Sequence, residues 1–163
     1  MTKKIDQTLI KQVIDQASAS PRLRSNFNFH PAMEDPVQRL LIGFKKGTYV
    51  QPHHHPAEDK WEMLVAVHGE VCFVVFEADG SIKDKVTLSQ GQSSIGLEIP
   101  AGTWHTIYPI SEESAFLEMK RGPYTPSEPT DFAAWAPSEG EPDVESFLQW
   151  IENAQIGDSY KPS

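Results

Sequence analysis

The chain has 163 residues, an apolar share of 39% and a formal net charge of −9. At this length one domain is expected, with a core that buries about two-thirds of the unfolded surface. The charge argues against nucleic acid or an anionic membrane as a general partner, and no run approaches the ~18 apolar residues of a membrane span. No secretory signal is visible, and a lone Cys72 in an apolar run rules out an internal disulfide framework. Both features fit a reducing cytoplasm.

In chain order, Ile5, Leu9, Ile10, Val13, Ile14 and Ala17 recur at helical steps and predict an amphipathic helix over residues 5–18, ended by Ser18-Ala19-Ser20-Pro21. Residues 21–36, with three prolines and two arginines, read as an ordered arm. Residues 37–120 are strand-rich, with apolar runs at 61–67, 71–76, 82–88, 95–99, 105–110 and 115–120. The clearest hairpin joins residues 71–76 to 82–88 through the turn Asp79-Gly80. Because residues 71–76 are apolar on both faces, that strand is expected to be covered twice, by a second sheet and by a second subunit, so a homodimer is expected. Strand–helix alternation is absent, which argues against a parallel α/β fold. Residues 122–142 carry five prolines and read as an extended wrap that packs Phe132 and Trp135 on the strands. Phe147, Leu148, Trp150 and Ile151 predict a short helix over about residues 143–154, and the end from Gly157 is expected to fray. The predicted segments are thus 1–36 (helix and arm), 37–120 (barrel) and 121–163 (wrap and helix), all within a single domain.

Two stretches carry chemistry. The first runs from Gly47 through His53-His54-His55 to Glu62 and Gly69; the second is Pro100-Ala101-Gly102-Thr103-Trp104-His105. Side chains alternate along a strand, so His53 and His55 point one way and His54 the other. Glu62 starts one apolar run and His105 starts another, so an antiparallel meander brings all four groups to one interior spot. Three imidazoles and one carboxylate suit Fe(II), Mn(II), Ni(II), Zn(II) or Cu(II) and argue against a calcium cage of oxygens.

In these residues the chain resembles the cupins. Gly47, His53, His55, Glu62 and Gly69 match the first cupin motif, with an enlarged gap between His55 and Glu62. Pro100, Gly102 and His105 match the second, in which Pro109 stands at the usual trailing Asn and the leading Gly is displaced to about Gly91. The resemblance implies an all-β double-stranded β-helix, or jelly-roll barrel, and a metal ion held by His53, His55, Glu62 and His105. A narrower resemblance spans nearly the whole chain. Ser20-Pro21-Arg22-Leu23-Arg24, Asp35-Pro36-Val37-Gln38-Arg39, Lys60-Trp61-Glu62, Gly122-Pro123-Tyr124 and Ala134-Trp135-Ala136-Pro137 are similar to the WbuC family. These are small bacterial cupin-fold metalloproteins, some encoded among genes for O-antigen polysaccharide. This likeness implies one divalent transition-metal ion and a place in surface-polysaccharide metabolism.

No Gly-x-Ser-x-Gly elbow, Walker loop or dinucleotide fingerprint is present, so any chemistry rests on the metal, a carboxylate or a tyrosine. Tyr49, Tyr108 and Tyr124 are the acid–base candidates. Arg22, Arg24, His30, Arg39 and Lys60 are candidate contacts for a small anionic molecule, since arginine forks suit carboxylate and phosphate. Strand parity turns Trp61 and Trp104 away from the metal. The expected function is a metal-dependent isomerase, epimerase or lyase acting on an anionic sugar or sugar phosphate. The alternatives are a non-catalytic metal-dependent binding protein, an Fe(II) dioxygenase, or a structural cupin.

Overall fold

Asp6 opens the first element. In the computed structural model, which describes residues 2–161, its carboxylate accepts from the Leu9 N–H at 3.0 Å and caps helix α1, Gln7–Ala19. Most of the expected apolar stripe of α1 is buried: Ile10, Val13, Ile14 and Ala17 face the sheet below and Leu9 packs beside them, whereas Ile5 precedes the helix and is exposed. Gly43 allows that close approach, because a Cβ there would stand 2.8 Å from the Val13 carbonyl carbon.

Part of the expected arm is a strand. β1, Arg24–Asn28, pairs antiparallel with β2, Val37–Lys45. The alternation Asn26-Phe27-Asn28-Phe29 explains it: Phe27 and Phe29 pack with the α1 cluster, and β1 lies on an edge of the sheet. The remaining strands fall where the apolar runs predict them. They are β3 (Glu62–His68), β4 (Glu70–Phe76), β5 (Ile82–Ser89), β6 (Gly96–Ile99), β7 (Trp104–Pro109) and β8 (Glu113–Arg121). They form a five-stranded sheet of order β1-β2-β8-β3-β6 and a three-stranded sheet of order β5-β4-β7, with every pairing antiparallel. The hairpin of β4 and β5 turns at Asp79-Gly80, as its sequence requires. No helix is long and apolar enough to cross a membrane among the described residues.

The molecule is layered: α1, larger sheet, smaller sheet, C-terminal wrap. Phe44, Leu64, Phe73, Ile107 and Phe116 fill the space between the sheets. The outer face of the smaller sheet, with Cys72, Val74, Phe76 and Tyr108, is covered by Tyr49, Ala133, Ala136, Phe147 and Ile151. Helix α2, Val144–Asn153, supplies Phe147 and Ile151 to that cover. The second apolar face of β4 is therefore satisfied by the chain's own C-terminal segment, and this strand gives no reason to invoke a second subunit. The end of the chain does not fray over its described part. Ile82 and Asp158 share a backbone hydrogen bond of 2.8 Å, Gly157 donates to Ile82 at 2.8 Å, and Ser159 bridges Ser81. Residues 162 and 163 lie outside the described residues.

Phe147 is the anchor of this outer layer. It is 1% exposed and makes ring contacts with Tyr49, Trp150 and Tyr160. Phe147→Ala is expected to cost about 3–5 kcal/mol, as for other buried Phe truncations, measured by urea unfolding. A loss below about 1 kcal/mol would show that the C-terminal cover is not part of the cooperative core.

Candidate metal centre

His53 sits in a short extended segment held from both sides. Its N–H donates to the His105 carbonyl at 3.0 Å, and the His105 N–H returns to the His53 carbonyl at 2.8 Å. On the other side His54 N–H donates to the Asp131 carbonyl at 2.9 Å, and Ala133 N–H donates to that of Pro52 at 2.8 Å. His105 lies in β7, and Glu62 is the first residue of β3. The two sheets thus bring both sequence stretches together, and the ligand atoms of His53, His55 and His105 lie within 4.8 Å of one another. His54 turns away, as parity predicts, and stacks on Trp104 with ring centroids 4.0 Å apart.

The ring nitrogens are presorted. Nδ1 of His53 lies 2.9 Å from the Gln51 carbonyl, and Nδ1 of His105 lies 2.8 Å from that of Thr103. A carbonyl only accepts, so each Nδ1 carries a hydrogen, and in the neutral ring Nε2 is the nitrogen left to take a metal ion. Burial, with His105 adding to it, pushes the His53 pKa down to about 3, which keeps that ring neutral. Glu62 is 3% exposed, with one oxygen 3.1 Å from His55 Nε2 and the other 3.1 Å from His105 Nε2. Burial opposes its charge, but His105, His55 and Lys120 together hold its carboxyl well below the usual range. An ionised carboxylate facing an imidazole lone pair is repulsive unless a proton or a metal ion lies between them. His55 Nε2 adds a second sign, being buried with no aligned hydrogen-bond partner. Three imidazoles and a carboxylate converging on one buried point suit a divalent transition-metal ion.

A cavity of about 470 Å³ opens beside this cluster, and a second of about 290 Å³ lies between the sheets; His53, Glu62, Arg24 and Lys120 border both. Of the expected anion contacts, Arg22, Arg24 and Lys60 line the larger cavity. Arg22 and Arg24 share Glu139, at 2.6 Å and 3.2 Å, and Arg24 also donates to the Tyr49 carbonyl. Burial lowers the Arg24 pKa, and the two arginines hold Glu139 below the carboxylate norm despite its own partial burial. Lys60 donates to the Arg121 and Pro123 carbonyls at 3.2 and 2.7 Å, so it ties down the segment after β8. His30 and Arg39 border neither cavity. The Arg39 N–H donates to His30 Nδ1 at 3.0 Å and the Arg39 guanidinium pairs with Asp35, so from β2 Arg39 ties down the connection between β1 and β2 in which His30 and Asp35 lie.

The tyrosines divide in the same way. Tyr49 donates to the Pro137 carbonyl at 2.7 Å and Tyr108 packs in the same outer cluster, both away from the histidines. Burial raises both phenol pKa values. Only Tyr124, half exposed, borders the cavity, as does Trp61, which parity alone turned away.

The sequence reading missed Lys120 and Glu118. Lys120 Nζ lies 2.8 Å from Glu118 and 3.3 Å from Glu62. Burial works against its charge, yet the two carboxylates raise its pKa. The signal was present in Leu117-Glu118-Met119-Lys120, whose alternation sends the charges to one face. Since α1 covers the opposite face, that one is the barrel interior. The register Gln38–Lys120–Glu62 across β2, β8 and β3 fixes the neighbours.

Two facing antiparallel sheets with this cluster at the open end define a cupin fold. Oxalate oxidase in complex with the substrate analogue glycolate is similar at a TM-score of 0.52 and 14% identity, over 66% of this chain and 55% of that one. Procruciferin, an 11S globulin of Brassica napus, is similar at 0.51 and 20% identity, over 64% and 26%. A cupin superfamily protein of Desulfitobacterium hafniense aligns at 0.47 and 17% identity, over 60% and 76%. The chain thus spans about half of that oxalate oxidase and a quarter of that globulin. Residues 5–88 match the model of the family described as Domain of unknown function (DUF6016), and the chain belongs to that family. No curated protein matches it.

Lys120→Met strands Glu118 and Glu62 in a buried place. It is expected to lower stability by about 3 kcal/mol, whereas the double replacement Glu118→Leu/Lys120→Met removes the Glu118–Lys120 pair together and recovers most of that loss. Chemical denaturation of both variants checks this. Equal stability of the single variant and the native protein would refute the pair's structural weight.

Proposed function

We propose that this protein is a metal-dependent enzyme in which His53, His55 and His105, through Nε2, and Glu62 hold one divalent transition-metal ion. The proposed substrate is a small anionic molecule, an acidic sugar or sugar phosphate of surface-polysaccharide metabolism, in keeping with the resemblance to the WbuC family. One observation carries the metal reading: a buried carboxylate 3.1 Å from two imidazole nitrogens, one on a ring whose other nitrogen faces a carbonyl and one buried without an aligned partner.

When bound, such an ion acts as a Lewis acid toward a carbonyl or hydroxyl oxygen. The chain's own residues do the rest. Phe73 stacks on His105 at 5.3 Å and keeps one side of the cluster apolar. The Gln51 and Thr103 carbonyls fix the ring orientations of His53 and His105. Arg22, Arg24 and Lys60 line the approach with positive charge. The Lys60 ammonium has two carbonyl partners in place of a carboxylate, so its charge is left to act on the cavity.

Elemental analysis of protein purified without added metal, handled anaerobically to protect Fe(II), tests the centre. About one equivalent per chain is expected in the native protein and in His54→Ala. His105→Ala should lose at least ~90% of it and several degrees of Tm, because ion binding is linked to folding. Full occupancy in His105→Ala would remove that residue from the site, and a native protein that takes up no ion from any of these metals would overturn the reading.

A further inference from the structure

Within the barrel, the charges around Glu62 do not balance once an ion is present. Glu62 and Glu118 are two carboxylates, Lys120 is one ammonium, and an imidazole that holds an ion through Nε2 is neutral. A dication added to this set leaves one positive charge in a place with little access to water. Buried charge is costly unless it is compensated. The site therefore demands one further negative charge, and the ligand is the source of it.

The geometry says where that charge goes. A lysine ammonium has three donors, and the contacts of Lys120 with Glu118 and Glu62 engage two. Lys120 borders both cavities, so its remaining donor faces the space where a ligand meets the cluster. Glu118 holds the long side chain in place at 2.8 Å, which removes the freedom that usually weakens a lysine contact. Arg24 borders both cavities too, but its guanidinium is engaged by the Tyr49 carbonyl and Glu139. Lys60 stands on backbone carbonyls, and Arg121 lies 3.5 Å from Asp59.

We infer that Lys120, positioned by Glu118, is the residue that anchors the ligand's anionic group next to the metal centre. The ligand is thereby defined as one carrying a single negative charge beside the oxygen presented to the ion. This rests on the metal reading above and goes beyond it.

Acetate is the monoanionic probe, titrated into Co(II)-loaded protein and followed by calorimetry and by the visible absorption of the cobalt. The native protein should bind acetate saturably. Lys120→Gln should bind at least tenfold more weakly at unchanged cobalt content, Lys120→Arg within about threefold, and Lys83→Gln, at a lysine that pairs with Glu77 and borders neither cavity, as the native protein does. The variant Glu118→Leu/Lys120→Met, which removes the ion pair without stranding Glu118, should repeat the loss and guards against misfolding of the single variant. Native-like acetate affinity in Lys120→Gln or in the double variant at full cobalt occupancy overturns the inference alone, as does a cobalt-loaded native protein that binds no acetate. A native protein that takes up no cobalt or other metal overturns the metal reading, and the inference falls with it.

Discussion

Two backbone hydrogen bonds, exchanged between His53 and His105, hold the candidate site together. They fasten the first histidine stretch to the edge of the smaller sheet and set the distance between the two sequence motifs. The same stretch is then gripped from its far side by Asp131 and Ala133 of the wrap. The C-terminal segment thus serves two ends at once. It covers the outer apolar face of β4 and it fixes the backbone that aims His53 and His55.

The strands were legible in the sequence because each carries an apolar run bounded by turn residues, and α1 because its stripe has the helical period. Chemistry was legible where parity alone decides orientation: His53 and His55 inward, His54 outward onto Trp104. What stayed hidden depended on which surface covers which face. Residues 71–76 announce two buried faces, but composition does not say whether another copy or the same chain supplies the second cover. Here Phe147 and Ile151 do, from more than seventy residues further along. Lys120 was hidden for the related reason that charges on a strand ordinarily face water. On β8 the outward face lies under α1, so the alternation is inverted and the charged residues enter the lumen.

The basic residues show how a pattern of types differs from a pattern of partners. Arg22, Arg24 and Lys60 do border the cavity, yet each is already engaged, two by Glu139 and one by carbonyls. His30 and Arg39, equally prominent in the sequence, stabilise the turn between β1 and β2. A cation near a site contributes to binding through the donors its neighbours leave free, and Lys120, held by Glu118 and Glu62 with a third donor to spare, sits two strands from Arg24.

The order β1-β2-β8-β3-β6 has a consequence for how the molecule assembles. β8, the central strand of the larger sheet, is also the last strand in the chain, and it pairs residues as distant as Val37 and Arg121. During synthesis β2 and β3 emerge without the strand that joins them, so the larger sheet stays in two halves until residue 121 is available. Closing so large a loop before any pairing repays it makes folding slow. The strand that closes the sheet is also the one that carries Glu118 and Lys120 into the lumen, so the barrel gains its hydrogen-bonded frame and its interior charges in the same event.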